Sequence, residues 1–164
     1  MTQALRRCYE AGHRPKFLVV VDDTEECGRA VRFAARRAKR TGARVSMLAL
    51  ITPNEFQNWF NIGSVMQEEA EGEARAMLAR AAARVRDAAG EPELVVRSGN
   101  RAEEIQSLIE EDEDISLLVL GAGTGAEGPG PLVSSLAGRL AGTFPIPIVV
   151  VPGHLTDEEI DALA

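Results

Sequence analysis

The chain reads as an α/β protein built on one parallel sheet with helices on both faces. Three observations carry that expectation. Five short apolar runs have the look of strands covered on both sides, four amphipathic helical stretches alternate with them, and a glycine-rich turn joins the fourth run to the fourth helix. At 164 residues the chain fits a single domain whose core needs no disulfide or metal.

Residues 1–15 carry Gly12, Pro15 and scattered basic groups without periodicity, so they read as an N-terminal tail ahead of a domain spanning 16–152. Residues 17–21, FLVVV, form the first strand and run into Asp22, Asp23 and Thr24. Asp23 with Glu26 has capping-box spacing, and Ala30, Val31, Ala34, Ala35 and Ala38 make one helical stripe. Basic residues crowd the last turns of that helix, and Gly42 supplies a left-handed residue beyond its end. A second strand at 45–51 leads into an irregular connection, 52–63, holding Phe56, Trp59 and Phe60. These aromatics read first as packing for the next helix or a subunit contact, with a lid over a ligand site as the alternative.

A long helix follows, with Met66, Ala70, Ala74, Met77, Leu78, Ala81 and Val85 on one face and Gly90 past its end. Residues 94–97 are the third strand. Asn100 with Glu103 caps a helix whose Ile105, Leu108 and Ile109 face inward. Residues 117–120 form the fourth strand, 132–141 a helix opened by Ser134 and Ser135, and 146–151 the fifth strand, hemmed by prolines. The extension 153–164 has Thr156 and Glu159 at capping-box spacing, with Ile160 and Leu163 on one face. It reads either as an ordered turn packed on a partner subunit or as a frayed tail.

Charge and composition exclude several classes. A net charge of -7 argues against a nucleic-acid binder, and the acids gathered in 103–114 read as a solvated helix face. No apolar run approaches the roughly 20 residues of a membrane span, and the N-terminus has no hydrophobic signal region. With Cys8 and Cys27 suited to a reducing compartment, the expectation is a soluble, cytoplasmic protein that engages no membrane.

In an open parallel sheet, ligands bind beyond the carboxyl ends of the strands where strand order reverses. Two loops therefore matter: 22–24 after the first strand and 121–135 after the fourth. The second, within LLVLGAGTGAEGPGPLVSSL, brings backbone amides and a helix N-terminus together as a phosphate cradle, yet it holds Glu127 and no lysine or arginine. A phosphorylated receiver domain would need an aspartate after the third strand and a lysine after the last, and the only lysines are Lys16 and Lys39. Gly123, Gly125 and Gly128 match GxGxxG, but after the wrong strand and with no acid following, and no Walker lysine is present. His13 and His154 form no ligand spacing with the cysteines. Cys27, in a helix's first turn beside Glu25 and Glu26, reads as a packing residue, and no catalytic constellation is assembled.

The residues themselves carry a resemblance. KFLVVVDDTEECGRAVRFAARRAKRTGARV at 16–45, SGNRAEEI at 98–105 and PIPIVVVP at 145–152 are similar to the corresponding stretches of the universal stress proteins. The family's loop motif is a glycine, two residues, a glycine, nine residues, then glycine followed by serine or threonine. Laid on Gly121, it puts Thr124 at the second glycine, Ser134 at the third and Ser135 at the hydroxyl position. Gly123 and Gly125 flank the altered position and offer it backbone freedom.

The resemblance implies a Rossmann-like domain with strand order 3-2-1-4-5. It implies ATP or a related adenine nucleotide as ligand, with magnesium as its companion ion. Asp22 falls at the position whose carboxylate reads adenine. The implied contacts are Val21, Asp22, Thr24 and Leu50 at the ends of the first two strands, and Gly121, Thr124, Gly125, Ser134 and Ser135 over the phosphates. It further implies a homodimer paired through the fifth strand, and a regulator, not an enzyme, acting on a partner protein the sequence does not identify. The other reading within the same family is a dimeric interaction protein whose degenerate loop binds no nucleotide.

Overall fold

The apolar runs at the centre of the sheet are strands because both of their faces are covered. The computed structural model describes residues 5–52 and 62–164. In β1 (Lys16–Val20), Phe17 and Val19 enter one hydrophobic cluster while Leu18 and Val20 enter another on the opposite side. The same alternation holds in β2 (Arg44–Ile51), where Val45, Met47, Ala49 and Ile51 face one way and Leu48 the other. A period of two with both phases apolar is what leaves a continuous run in the sequence. The one buried polar side chain of β2, Ser46, donates its hydroxyl to Glu93 at 2.8 Å.

The remaining elements are α1 (Glu25–Thr41), α2 (Ile62–Ala89), β3 (Glu93–Ser98), α3 (Arg101–Glu111), β4 (Ile115–Ala122), α4 (Val133–Arg139), β5 (Ile148–Pro152) and α5 (Asp157–Leu163). All strand pairs are parallel, in the order β3-β2-β1-β4-β5. One core lies beneath α1, α2 and the terminal Ile160, and the second beneath α3 and α4. Strand order reverses between β1 and β4, so the expected α/β fold and its crevice are both present.

Helix boundaries follow local chemistry, with one departure. Gly42 at φ 78° and Gly90 at φ 72° end α1 and α2 in the left-handed conformation, and Asn100 caps α3 by accepting from the Glu103 amide at 3.1 Å. The expected Asp23–Glu26 capping box is absent. Thr24 is the N-cap and makes no side-chain cap bond. Asp22 takes over instead, accepting from the Thr24 amide at 2.9 Å and from its hydroxyl in a tight Asx turn.

The helix expected at 132–141 is shorter and wound differently. α4 is a π helix, with the Leu140 amide donating to the Ser135 carbonyl five residues back. Leu132, Leu136 and Leu140 lie four apart and all meet the second core, and a turn wider than 3.6 residues keeps them in line. Pro131 precedes this helix where its missing amide costs nothing.

Both chain ends are built into the domain. Arg6 donates to the carbonyls of Ile109 at 2.7 Å and Asp112 at 3.1 Å, satisfying the end of α3. Cys8 is buried, and His13 pairs with Asp114 at 2.7 Å. Lys16 bridges Asp112 at 2.8 Å and Glu93 at 2.9 Å. Burial works against its charge, but those two carboxylate bonds win and raise its pKa. The segment expected as a tail is therefore tied down from Arg6 onward.

The C-terminal extension is neither of the two things expected of it. Thr156 and Glu159 do form the capping box, but α5 docks on α1 of its own chain, with Ile160 wholly buried and Asp161 held by Arg32 at 2.7 and 2.8 Å. Ile160 and Leu163 do not share a buried face, since Leu163 is exposed. Among the described residues no helix is long and apolar enough to cross a membrane.

Candidate functional site

The site is built where β1 and β4 end side by side. Beyond Val20 the chain turns through Asp22 and Thr24 into α1, and this corner is stitched to the strand by Cys27. The Asp22 amide lies 3.4 Å from the Cys27 sulfur, and the thiol faces the Val20 carbonyl at 4.0 Å. Burial pushes the Cys27 thiol up to about 11, against the opposing effect of the Asp22 amide bond. At neutral pH it is a protonated packing group and not a nucleophile.

Across from this corner, the loop after β4 approaches α1 so closely that Gly121 has no room for a Cβ. An ideal Cβ there would stand 2.5 Å from the Glu26 carbonyl oxygen. Glu26 also turns its carboxylate toward the loop, with Oε1 3.2 Å from the Cβ position of Gly123. The loop closes on itself: the Gly123 amide donates to Pro129 at 3.0 Å and the Gly128 amide to Gly125 at 3.1 Å. Left-handed backbone falls at Gly128 and Gly130, with φ of 94° and 110°, and not at Gly123, Gly125, Thr124 or Ser134. Glycine freedom is thus spent later in the loop than the motif comparison anticipates. Ser134 needs no glycine, because it lies within the helix with its amide donating to Gly130 at 3.0 Å.

Two adjoining cavities result. The smaller, about 100 Å³, brings Asp22, Thr24, Glu26, Gly121 and Arg101 together. The larger, about 460 Å³, lies beside it over Thr52, Gly99, Asn100 and Ser135, and shares Arg101, Pro131 and Leu132. Small-molecule pockets run about 300–1,000 Å³, so only the larger reaches that range by itself. Of the residues singled out from sequence, Asp22, Thr24 and Gly121 line the first cavity and Ser135 the second. The other five line neither. Val21 is buried with its amide on the Leu48 carbonyl, and Leu50 packs on the second core. Thr124 points its methyl toward Gly153, Gly125 sits against Glu127, and Ser134 is exposed. Phe56, Trp59 and Phe60 lie outside the described residues.

Arg101 is the residue sequence reasoning missed. The glycine loop at 121–135 holds no basic residue, yet every strand-to-helix loop of a parallel sheet opens at the same end. Arg101 opens α3 just after β3, and among the described residues it has no carboxylate partner. The signal was available as the basic residue in SGNRAEEI. As an assembly, the crevice offers one guanidinium, two carboxylates, a hydroxyl-bearing Thr24 and a glycine wall. That set can bind and orient a polar ligand. Among the described residues no three His, Cys, Asp or Glu side chains lie together as a metal site, so these residues offer magnesium no cage of their own.

No curated protein matches the chain in sequence. Its fold is shared with solved structures. The universal stress protein UspA from Lactobacillus plantarum is 18% identical with a TM-score of 0.69, over 84% of this chain and 97% of that one. A universal stress protein solved in complex with cAMP is 19% identical, TM-score 0.60, over 85% and 97%. The universal stress protein from Archaeoglobus fulgidus in complex with dAMP is 22% identical, TM-score 0.54, over 84% and 97%. Such identities establish the fold. The family model described as the universal stress protein family matches residues 13–152, most of the chain and both loops of the crevice, and the chain therefore belongs to that family.

Proposed function

We propose that this chain is a non-catalytic regulator that binds an adenine nucleotide across the two adjoining cavities at the ends of β1 and β4. The observation that carries the reading is the meeting of Asp22 and Arg101 in one crevice at the sheet's reversal point. Asp22 commits Oδ1 to Thr24, which leaves its second oxygen to accept from an adenine amino group. Arg101 supplies the positive charge the glycine loop lacks, and a guanidinium meets phosphate oxygens in bidentate fashion. Two structural neighbours bound to cAMP and dAMP support adenine nucleotides as the ligand class. Magnesium would enter with a di- or triphosphate and not through the protein.

Calorimetric titration of adenosine, AMP and ATP, each with and without magnesium, tests this. Arg101→Ala should weaken AMP and ATP but leave adenosine little changed, while Asp22→Asn should weaken all three. Saturation at about 100 times Kd adds roughly 2.7 kcal/mol of stability, readable as a rise in Tm. Absence of heat and of any melting shift at millimolar concentrations of all three would end the nucleotide reading.

A second reading has its own support. The loop's amides at Gly123 and Gly128 are already spent, and Glu26 places a negative charge beside it. Both features suit an interaction protein of the same family that holds no nucleotide. In either case we infer a homodimer through β5, whose outward Val150 is 36% exposed on a bare sheet edge. Light scattering of the wild type against Val150→Lys measures it, with a monomeric wild type at tens of micromolar as the contrary result.

A further inference from the structure

α1 and α2 flank a groove of about 780 Å³ that starts at Asp22 and Thr24, beyond the end of β1, and runs along both helices to Lys39 and Ala88. Its floor is apolar, with Met77 and Ala88 of α2 partly exposed and Val31, Ala35, Ala81 and Val85 buried in the domain core behind the opening. Its rims carry the cations Arg29, Arg32, Arg36, Lys39, Arg80 and Arg84 against the carboxylates Asp22, Asp23, Asp87 and Asp157. In a chain of net charge -7 this is a local excess of positive charge. Among the described residues Lys39, Arg80 and Arg84 have no carboxylate within ion-pair distance, and the Arg29 Nε is buried without a partner.

The chain itself displays what fits such a ridge. At one border of this groove, which Asp157 itself lines, α5 sets Asp161 on Arg32 at 2.7 Å and Arg36 at 3.1 Å, and Asp157 on Arg32 at 3.7 Å. Between those acids Ile160 is wholly buried. An acidic, amphipathic helix thus already occupies one side of the α1 arginine row, and the side toward α2 repeats its chemistry of cations bordering an apolar strip.

We propose that the α1–α2 groove docks an acidic amphipathic helix of a partner protein. Its carboxylates meet Lys39, Arg80 and Arg84, and its apolar stripe lies on the floor. A bare polyanion would leave that floor unused. The acidic helices of a second copy are not the occupant, because α5 has Ile160 buried and Asp161 committed to Arg32 of its own α1, and α3 has Ile105, Leu108 and Ile109 buried and Glu111 committed to Arg97. Asp22 borders both this groove and the cavity assigned to nucleotide, but Lys39, Arg80 and Arg84 line only the groove.

The test is fluorescence anisotropy of the full chain with a labelled peptide of four helical turns that repeats the α5 spacing, acids three and four apart around Ile and Leu. A twin peptide carries Lys at every acidic position. The acidic peptide should bind saturably, weaken as salt screens the rim charges, and bind at least tenfold tighter than its twin. Charge reversal at the exposed positions Arg80→Glu and Arg84→Glu, or at Lys39→Glu, should cost about tenfold or more each way it is combined, with the melting curve unchanged. Equal binding of the twins, no saturation up to millimolar peptide, or unaltered affinity in the reversed variants would overturn the proposal. So would displacement by inorganic polyphosphate at lower concentration than the peptide, or self-association lost in the variants without peptide binding.

Discussion

Replacing Gly121 by alanine would put a methyl group 2.5 Å from the carbonyl oxygen of Glu26 and 2.9 Å from its carbonyl carbon. Ordinary carbon contacts stand at about 3.5–4.0 Å, so β4 and the first turn of α1 would have to part by roughly 0.5–1 Å. The obstructing atoms are backbone, and neither element can yield by a side-chain rotation. Overpacking of this kind costs about 1–3 kcal/mol. For a chain of this size each kcal/mol lowers Tm by about 2–4 °C, so a drop of about 2–12 °C is expected. Urea and thermal unfolding, each with and without AMP, form the assay. The geometry assigns this glycine to helix–strand packing, so stability should fall even without nucleotide. A Gly121→Ala protein that melts within about 1 °C of the wild type would refute that assignment; lost nucleotide binding in such a protein would give the glycine to the ligand instead.

Other changes have opposite or separate signatures. Gly72 sits inside α2 with open space where a Cβ would go and no positive φ, so Gly72→Ala should stabilise by about 0.5–1 kcal/mol in urea melts. Ile160→Ala removes a wholly buried side chain and should cost about 2–4 kcal/mol, unless α5 simply undocks, which hydrogen exchange confined to residues 157–163 would reveal. Cys27 has its pKa raised in the folded state to about 11. Its contribution is therefore complete below the ordinary thiol range and is lost as pH rises toward about 11, by at most about 2–3 kcal/mol. Unfolding measured at pH 8 and pH 11 should show that loss in the wild type and less of it in Cys27→Ala. Native protein should give no rapid reaction with a thiol reagent at pH 8, since both cysteines are buried.

The fold was legible because its causes are local and repetitive. Residues 17–21 and 45–51 are apolar at every position since each strand serves two cores, and Gly42, Gly90 and Asn100 mark helix ends by their own backbone chemistry. The crevice was legible in outline for the same reason: a parallel sheet opens all its strand-to-helix loops at one end. Sequence thus determined the sheet, its helices, and the position of Asp22, Thr24 and Gly121 at the crevice.

What only the tertiary structure decided depends on which distant residues meet. Arg101 reaches the crevice from another loop, and Glu26 turns a carboxylate toward glycines about a hundred positions away. The π winding of α4 answers to leucines that must all reach one core. Arg6 and Ile160 look like tail residues in a linear reading because their partners, the end of α3 and the face of α1, are about 103 and 130 positions distant. Local patterns encode how each segment folds. Long-range contacts, whose partners no window of sequence contains, determine which charges face the crevice and whether a terminus belongs to the domain.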